Sequence, residues 1–259
     1  MKLLLNVLIC CVFLAALGCS PVYYQPNLMN MPNFRKKGEV YLATNLGGNG
    51  GDAQVAYSFS DHFMVQGNYM EGVYKDSTRT ITLKPKSSIN IKGNLGEFAL
   101  GYFTMLSPNE TFCFLGGYGR GKIDNDWGIE GSSSANFNKL FIQSNYGLRY
   151  DYFEIVTSLK LANLTYYNQE QSFKNQTFID QFDVIRSPIP IVEAGMTIRG
   201  GGKNIKLQLQ GTIMRPFKFS APEFQYQVLT VGIGICVQLN GSMPYVKKPD
   251  ENKVRYKLF

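Results

Sequence analysis

The feature that most constrains the fold is an alternation of apolar and polar residues at period two, which recurs along the chain after residue 36. Successive side chains of an extended strand point to opposite faces, so this period predicts strands with one apolar and one polar face. No stretch beyond residue 36 keeps an apolar period of 3.6, which excludes a helical fold. The pattern predicts ten strands, near 38–47, 51–59, 62–71, 95–105, 111–121, 137–149, 154–163, 189–199, 204–213 and 226–239.

The connections between these strands alternate between short and long. Tight turns lie at 58–61, 106–110, 150–153 and 200–203. The other connections are long, at 72–94, 122–136, 164–188 and 214–225, with only 47–51 compact. An up-and-down barrel has short turns at one rim and long loops at the other. Because ten is an even number, both ends of the barrel sequence are expected at the short-turn rim.

Alternation alone fits either a soluble barrel or sandwich with an apolar interior, or a membrane barrel with a polar lumen. Strands of about ten residues can cross an apolar band of about 25 Å when they are tilted. Aromatic residues also cluster near the strand ends, at Tyr57, Phe59, Phe63, Phe103, Phe112, Phe114, Tyr150, Tyr152 and Phe153. We therefore predict an all-β fold, a ten-stranded antiparallel up-and-down transmembrane β-barrel over residues 37–239.

The N-terminus carries a secretory signal. Lys2 is followed by an almost wholly apolar stretch over residues 3–17, and small residues precede Cys19. We expect a signal peptide over 1–18, a lipidated N-terminal linker over 19–36 and a basic periplasmic tail over 240–259. Cys113 and Cys236 fall on strands half a barrel apart, so we expect them to remain unbonded, since a disulfide needs Cα atoms within about 7 Å.

Ala16-Leu17-Gly18-Cys19 is similar to a lipobox, although Ala16 and Leu17 stand in the reverse of the preferred order. With the Pro21–Tyr24 segment, the ten alternating strands and the Ser-Asp and Ser-Pro turns, the chain resembles the bacterial outer-membrane β-barrel lipoproteins, which are small and porin-like. The resemblance implies location in the outer membrane, with lipid attached at Cys19. Because the barrel ends are expected at the short-turn rim, we expect this anchor on the periplasmic side.

The polar face carries charges that would lie inside such a barrel. They are Glu97, Lys139, Arg149, Glu154, Lys160, Glu193, Arg199 and Lys206. The turn 150–153 places Arg149 across from Glu154, and opposite charges on paired strands stabilise each other. The network is expected to be a structural polar filling of the lumen, and a proton or solute path is the alternative.

No catalytic, metal or cofactor site is predicted. His62 is the only histidine, and Asp61 beside it points to the opposite face of a strand. The stretch Asp124–Glu130 is only loosely similar to a calcium loop, and it lacks the acidic residue and Gly at the fifth and sixth places. The loop 72–94 carries a net charge of +4, which suits the phosphorylated glycolipid of an outer leaflet better than a nucleic acid.

The function expected from these features is that of a non-enzymatic outer-membrane barrel, structural or ligand-binding through its extracellular loops. Three alternatives stay open. A narrow outer-membrane channel is the first, although aqueous pores typically need about 16 to 18 strands. A soluble lipid-tethered binding barrel and an envelope hydrolase are the others. The soluble barrel predicts an apolar lumen, and the hydrolase predicts a histidine-based site.

Overall fold

The computed structural model describes residues 23–48, 50–76, 89–128, 131–173, 185, 187–217, 224 and 226–239. The expected signal peptide 1–18, the expected lipid-attachment residue Cys19 and the expected basic tail 240–259 lie outside the described residues. Within the described part of the chain, no helix is long and apolar enough to cross a membrane.

Ten antiparallel strands close into one barrel, in which each strand pairs with its neighbours along the chain and β1 pairs with β10. The strands are β1 Val40–Gly47, β2 Gly50–Ser58, β3 Phe63–Asp76, β4 Ile89–Ser107, β5 Glu110–Asp126, β6 Gly131–Arg149, β7 Phe153–Phe173, β8 Ile189–Gly201, β9 Ile205–Pro216 and β10 Leu229–Leu239. The predicted fold is confirmed.

The outer surface of the barrel is apolar across its middle. On β6 and β7 the outward aliphatic side chains run from Leu148 and Ile155 to Leu140 and Leu161, and these four residues bound what we call the apolar band. Leu140 is 67% exposed and Ile233 on β10 is 63% exposed, whereas charged side chains lie inside. An apolar outer surface around a charged interior is the arrangement of a transmembrane β-barrel.

Aromatic side chains surround the short-turn rim. Of the nine aromatic residues expected at strand ends, eight point outward, and Tyr152 at the 150–153 turn is 71% exposed. Phe103 is the exception: it faces the lumen, where its ring packs edge-on against Phe34 at 6.0 Å.

The strands β3 to β7 are longer than the sequence pattern predicted. Those from β4 to β7 have 17 to 21 residues, so parts of the expected loops 72–94, 122–136 and 164–188 are strand. Beyond the apolar band the outward residues of β6 are Asn138, Asn136, Ser134 and Ser132, and the last three lie in the connection 122–136 expected from the sequence. They remain strand because β6 pairs here with both β5 and β7, and water solvates the polar outer face.

Candidate functional site: the occupied lumen

The lumen is filled by the chain's own N-terminal segment. Residues 23–34 are all buried, although only Tyr24 makes an isolated bridge to another segment, at Tyr226. We call residues 23–34 the plug. Twelve residues of extended chain span at most about 40 Å, which is enough to cross an apolar band of about 25 Å.

The plug runs from the long-loop rim to the short-turn rim. On β10 its successive contacts descend the strand: Pro26 O accepts from Thr230 Oγ1 at 3.0 Å, and Asn33 O accepts from Gln238 Nε2 at 3.2 Å. Beyond the plug, the Arg35 guanidinium donates to the Arg149 backbone carbonyl, and Lys36 O accepts from Ser58 Oγ at 2.7 Å, both at the short-turn rim.

This path corrects the expectation for the N-terminal linker 19–36. The even number of strands predicts the linker and its lipid at the short-turn rim, together with the ends of the barrel. Val40 and Leu239 do lie there as a pair, but the chain before β1 turns back through the lumen. Tyr23, the first described residue, is therefore at the opposite rim.

Aromatic packing closes the lumen at the long-loop end. The Tyr23 ring stacks on Phe224 at 6.0 Å, and Tyr24 packs edge-on against Phe137 at 5.6 Å. Tyr166 donates a hydrogen bond to Tyr23 O at 2.9 Å and stands 5.6 Å from the Phe137 ring. These contacts fix the entry point of the plug.

Farther down, wall side chains satisfy the backbone carbonyls of the plug. Gln143 Nε2 donates to Asn30 O at 2.9 Å, and Arg199 Nη2 donates to Met31 O at 2.8 Å. Asn33 O accepts from Arg149 Nη1 at 2.9 Å. A buried carbonyl without a partner costs free energy, so this polar wall is what allows a chain without secondary structure to remain buried.

Two glycines of the wall leave space for the plug. A Cβ at Gly147 would lie 2.8 Å from side-chain atoms of Asn33, and a Cβ at Gly232 would collide with the Leu28 side chain. Both positions face the lumen, and a larger side chain at either one would force Asn33 or Leu28 of the plug to shift.

All eight charged residues predicted for the lumen are buried inside it, and they form two clusters. The upper cluster contains Glu97, Glu193, Lys139 and Lys160. Lys139 Nζ lies 2.7 Å from Glu97 and 2.8 Å from Glu193, and Lys160 Nζ lies 2.8 Å from Glu97. The negative charges of its two carboxylates are neutralised by the positive charges of its two ammonium groups.

The plug takes part in the upper cluster. The Tyr24 hydroxyl donates to Glu193 at 2.7 Å and accepts from Lys139 Nζ at 2.8 Å. Asn27 Nδ2 donates to Glu97 at 3.1 Å. The plug is thus held by charged groups on three different strands, β4, β6 and β8.

The lower cluster is built around Glu154, whose carboxylate contacts three cations. Arg149 Nε lies at 3.2 Å, Arg199 Nη1 at 3.1 Å and Lys206 Nζ at 2.7 Å. Arg149 also pairs with Glu39 at 3.2 Å. The predicted register, with Arg149 across from Glu154, is the one observed.

Sequence reasoning missed the plug side of both clusters, namely Tyr24, Asn27 and Asn33, and also Glu39. One signal could have marked the plug. Residues 23–34 carry no charge, and Asn recurs at every third position, at 27, 30 and 33. A polar residue at this spacing returns to one side of an extended chain that has three residues per turn.

The other residues singled out in the sequence do not converge on a site. His62 stacks on Tyr102 at 5.4 Å at the short-turn rim, and its Nδ1 lies 3.3 Å from the Phe103 carbonyl. Asp124 to Asp126 belong to β5, and no cluster of three or more His, Cys, Asp or Glu that could hold a metal occurs among the described residues. Cys113 and Cys236 are free and buried.

Comparison with known proteins gives fold similarity alone. No family model and no curated protein matches the chain. The outer membrane protease OmpT of Escherichia coli is similar at a TM-score of 0.45 and 8% identity, over 79% of this chain and 94% of that chain. The outer membrane protein OprG of Pseudomonas aeruginosa is similar at a TM-score of 0.35 and 10% identity, over 80% of this chain and 98% of that chain. Similarity this low carries no function over to this chain.

Proposed function

We propose that this chain is an outer-membrane β-barrel lipoprotein, acylated at Cys19, with a closed lumen and no enzymatic activity. It acts as a structural or ligand-binding element of the cell envelope through its extracellular face. The observation that carries the proposal is the plug, which occupies the lumen from one rim to the other and bonds to its wall.

The closed lumen favours a structural role over a narrow channel. A solute crossing the barrel would have to displace the plug and break the contacts of Lys139 and Lys160 with Glu97. Both lysines are fully buried. Buried ion pairs whose partner is removed leave an uncompensated charge, so such an opening costs several kcal/mol.

The described residues also favour a non-enzymatic role. His62 lies next to the Ser60 turn, where Ser60 Oγ accepts from the backbone N–H groups of His62 and Phe63, at 3.3 and 2.8 Å. The Ser60 oxygen therefore stabilises the turn. Asp61 accepts from the Lys37 backbone at 3.3 Å and does not orient the imidazole.

Outward cations above the apolar band support contact with glycolipid. On the β4–β5 pair, the aromatic pair Phe98 and Tyr118 is followed toward the long-loop rim by Arg120, Lys122 and Lys92. Arg120 and Lys92 are exposed, at the height where the phosphates of an outer leaflet would lie. A phosphorylated outer-leaflet glycolipid is thus the proposed lipid partner, together with the bilayer itself.

Electrical recording tests the closed lumen. The purified protein, with folding verified by its heat-modifiable migration, is added to a planar bilayer in KCl. We expect no discrete conductance steps from the wild type. A matched variant in which residues 24–33 are replaced by an equally long Gly-Ser chain lacks the Tyr and Asn contacts and is expected to show steps. Steps of similar size from both proteins would support the narrow channel instead.

Metabolic labelling tests the lipid anchor separately. A fatty-acid probe should mark the wild type, and Cys19→Ala should lose the mark. Label that survives this substitution would overturn acylation at Cys19 and leave the barrel assignment untouched.

A further inference from the structure

The path of the plug has a consequence for the side of the membrane on which the chain is anchored. We infer that the acyl group on Cys19 inserts into the outer leaflet from the cell surface. This inference rests on the proposed acylation, and it reverses the periplasmic anchor expected from the sequence. Long loops face outside and short turns face the periplasm in barrels of this kind, which orients the molecule.

Tyr23 and Tyr24 lie at the height of the long-loop rim. Tyr24 packs against Phe137, and Tyr23 accepts a hydrogen bond from Tyr166. Phe137 and Tyr166 are paired with each other on β6 and β7, three and five residues beyond Leu140 and Leu161, the upper limit of the apolar band. Both plug tyrosines are therefore at or above the outer boundary of the hydrocarbon.

On the opposite side of the barrel the height is the same. Tyr24 bridges to Tyr226 and its carbonyl accepts from the Gln227 backbone at 3.0 Å. Both residues precede Leu229, the first residue of β10. The start of the plug is thus at the long-loop rim on two independent walls.

The chain between Cys19 and Tyr23 is too short to cross the membrane. Cys19 is four residues before Tyr23, and four residues of fully extended chain span at most about 14 Å. The apolar band of such a barrel is about 25 Å thick. A lipid attached at Cys19 therefore cannot reach the periplasmic leaflet, whatever conformation residues 19–22 adopt.

The lumen offers no place for the acyl chains. Below Tyr24 the space between the walls is taken by the plug, and a Cβ at Gly232 or Gly195 already meets Leu28 or Met29. The walls around the plug carry buried carboxylates and cations, which do not solvate hydrocarbon. The outer leaflet is the remaining apolar environment within reach.

Cysteine labelling in intact cells tests the inference. Three single variants are made, Val22→Cys next to the anchor, Gly48→Cys at the β1–β2 hairpin and Lys203→Cys at the β8–β9 turn, and each is treated with a membrane-impermeant maleimide. Gly48 is exposed with nothing within 4 Å of an added Cβ, and Lys203 is exposed. The wild type is the background control, because Cys113 and Cys236 are buried.

We expect Val22→Cys and Gly48→Cys to label in intact cells and Lys203→Cys to label only after permeabilisation, while the fatty-acid probe still marks all three variants. Labelling of Val22→Cys only after permeabilisation, as for Lys203→Cys, would overturn the inference. So would surface labelling of Lys203→Cys with protection of the other two, since the barrel would then be inverted. If Val22→Cys labels from outside but no fatty acid is found, the acylation in the proposed function is wrong and the outer-leaflet anchor falls with it, although the threaded path stands.

Discussion

Replacement of Glu154 by Gln tests whether the lower cluster holds the lumen together as a dry ion network. The carboxylate is fully buried, and it lies within 3.2 Å of Arg149, Arg199 and Lys206. The amide of the substituted side chain would keep the shape of the glutamate and remove its charge. Glu39 would then be the only carboxylate beside three cations among the described residues of this cluster.

The size of the effect follows from what each cation retains. Arg149 keeps Glu39 and Asn33 O, and Arg199 keeps Met31 O and the Tyr41 hydroxyl. Lys206 has salt bridges only to Glu154 within the part of the chain that the structure describes. Removing one partner of a buried pair typically costs about 3–5 kcal/mol, so Glu154→Gln is expected to lower the free energy of unfolding by about that amount.

Urea titration of the protein folded into lipid vesicles measures this loss, with heat-modifiable migration as the readout of the folded fraction. Glu110→Gln, which makes the same chemical change at a partly exposed position beside the Ser107–Glu110 turn, is the matched control and should cost less than about 0.5 kcal/mol. A loss for Glu154→Gln as small as that of the control would show that water screens the cluster. The reasoning that a dry lumen holds the plug would then be refuted.

Three further outcomes are expected. Ile233→Arg should lower the free energy of unfolding by about 2–4 kcal/mol in the same vesicle titration, because Ile233 faces lipid at mid-strand. Ser132→Arg, on the outward face beyond the apolar band, should be nearly neutral. Equal losses would mean that the apolar band is wrongly placed. In Gly147→Leu the new side chain should collide with Asn33 and release the plug, so this variant is expected to show conductance steps in a planar bilayer. The control Gly48→Leu, at the open β1–β2 hairpin, should show none. Cys113 and Cys236 should resist maleimide in the folded protein and both react after unfolding in urea without reductant, and the absence of reaction in urea would reveal a disulfide.

The alternating pattern, together with the regular succession of short and long connections, was sufficient to predict the barrel. The side-chain period of a strand is two, so a strand with one apolar face can pair in only one register without turning that face around. The ten strands, the pairing of Arg149 with Glu154 and the eight inward charges all follow from that pattern. The long strands were underestimated for a related reason. The Ser and Asn residues at 132–138 sit in a solvated ladder above the membrane, where no alternation of hydrophobicity is required.

The pattern of residues is therefore enough to predict the wall of the molecule. The plug was decided by tertiary structure, since residues 23–34 carry no period-two pattern and gain their partners, such as Glu97, Gln143, Arg199 and Gln238, only from strands far away in sequence. Those partners come together around one backbone only when the barrel has closed. For the same reason, the rim to which the chain before β1 leads could not be inferred by counting strands. An even number of strands fixes the rim at which β1 begins. The path of the chain before β1 is fixed by its contacts inside the closed lumen.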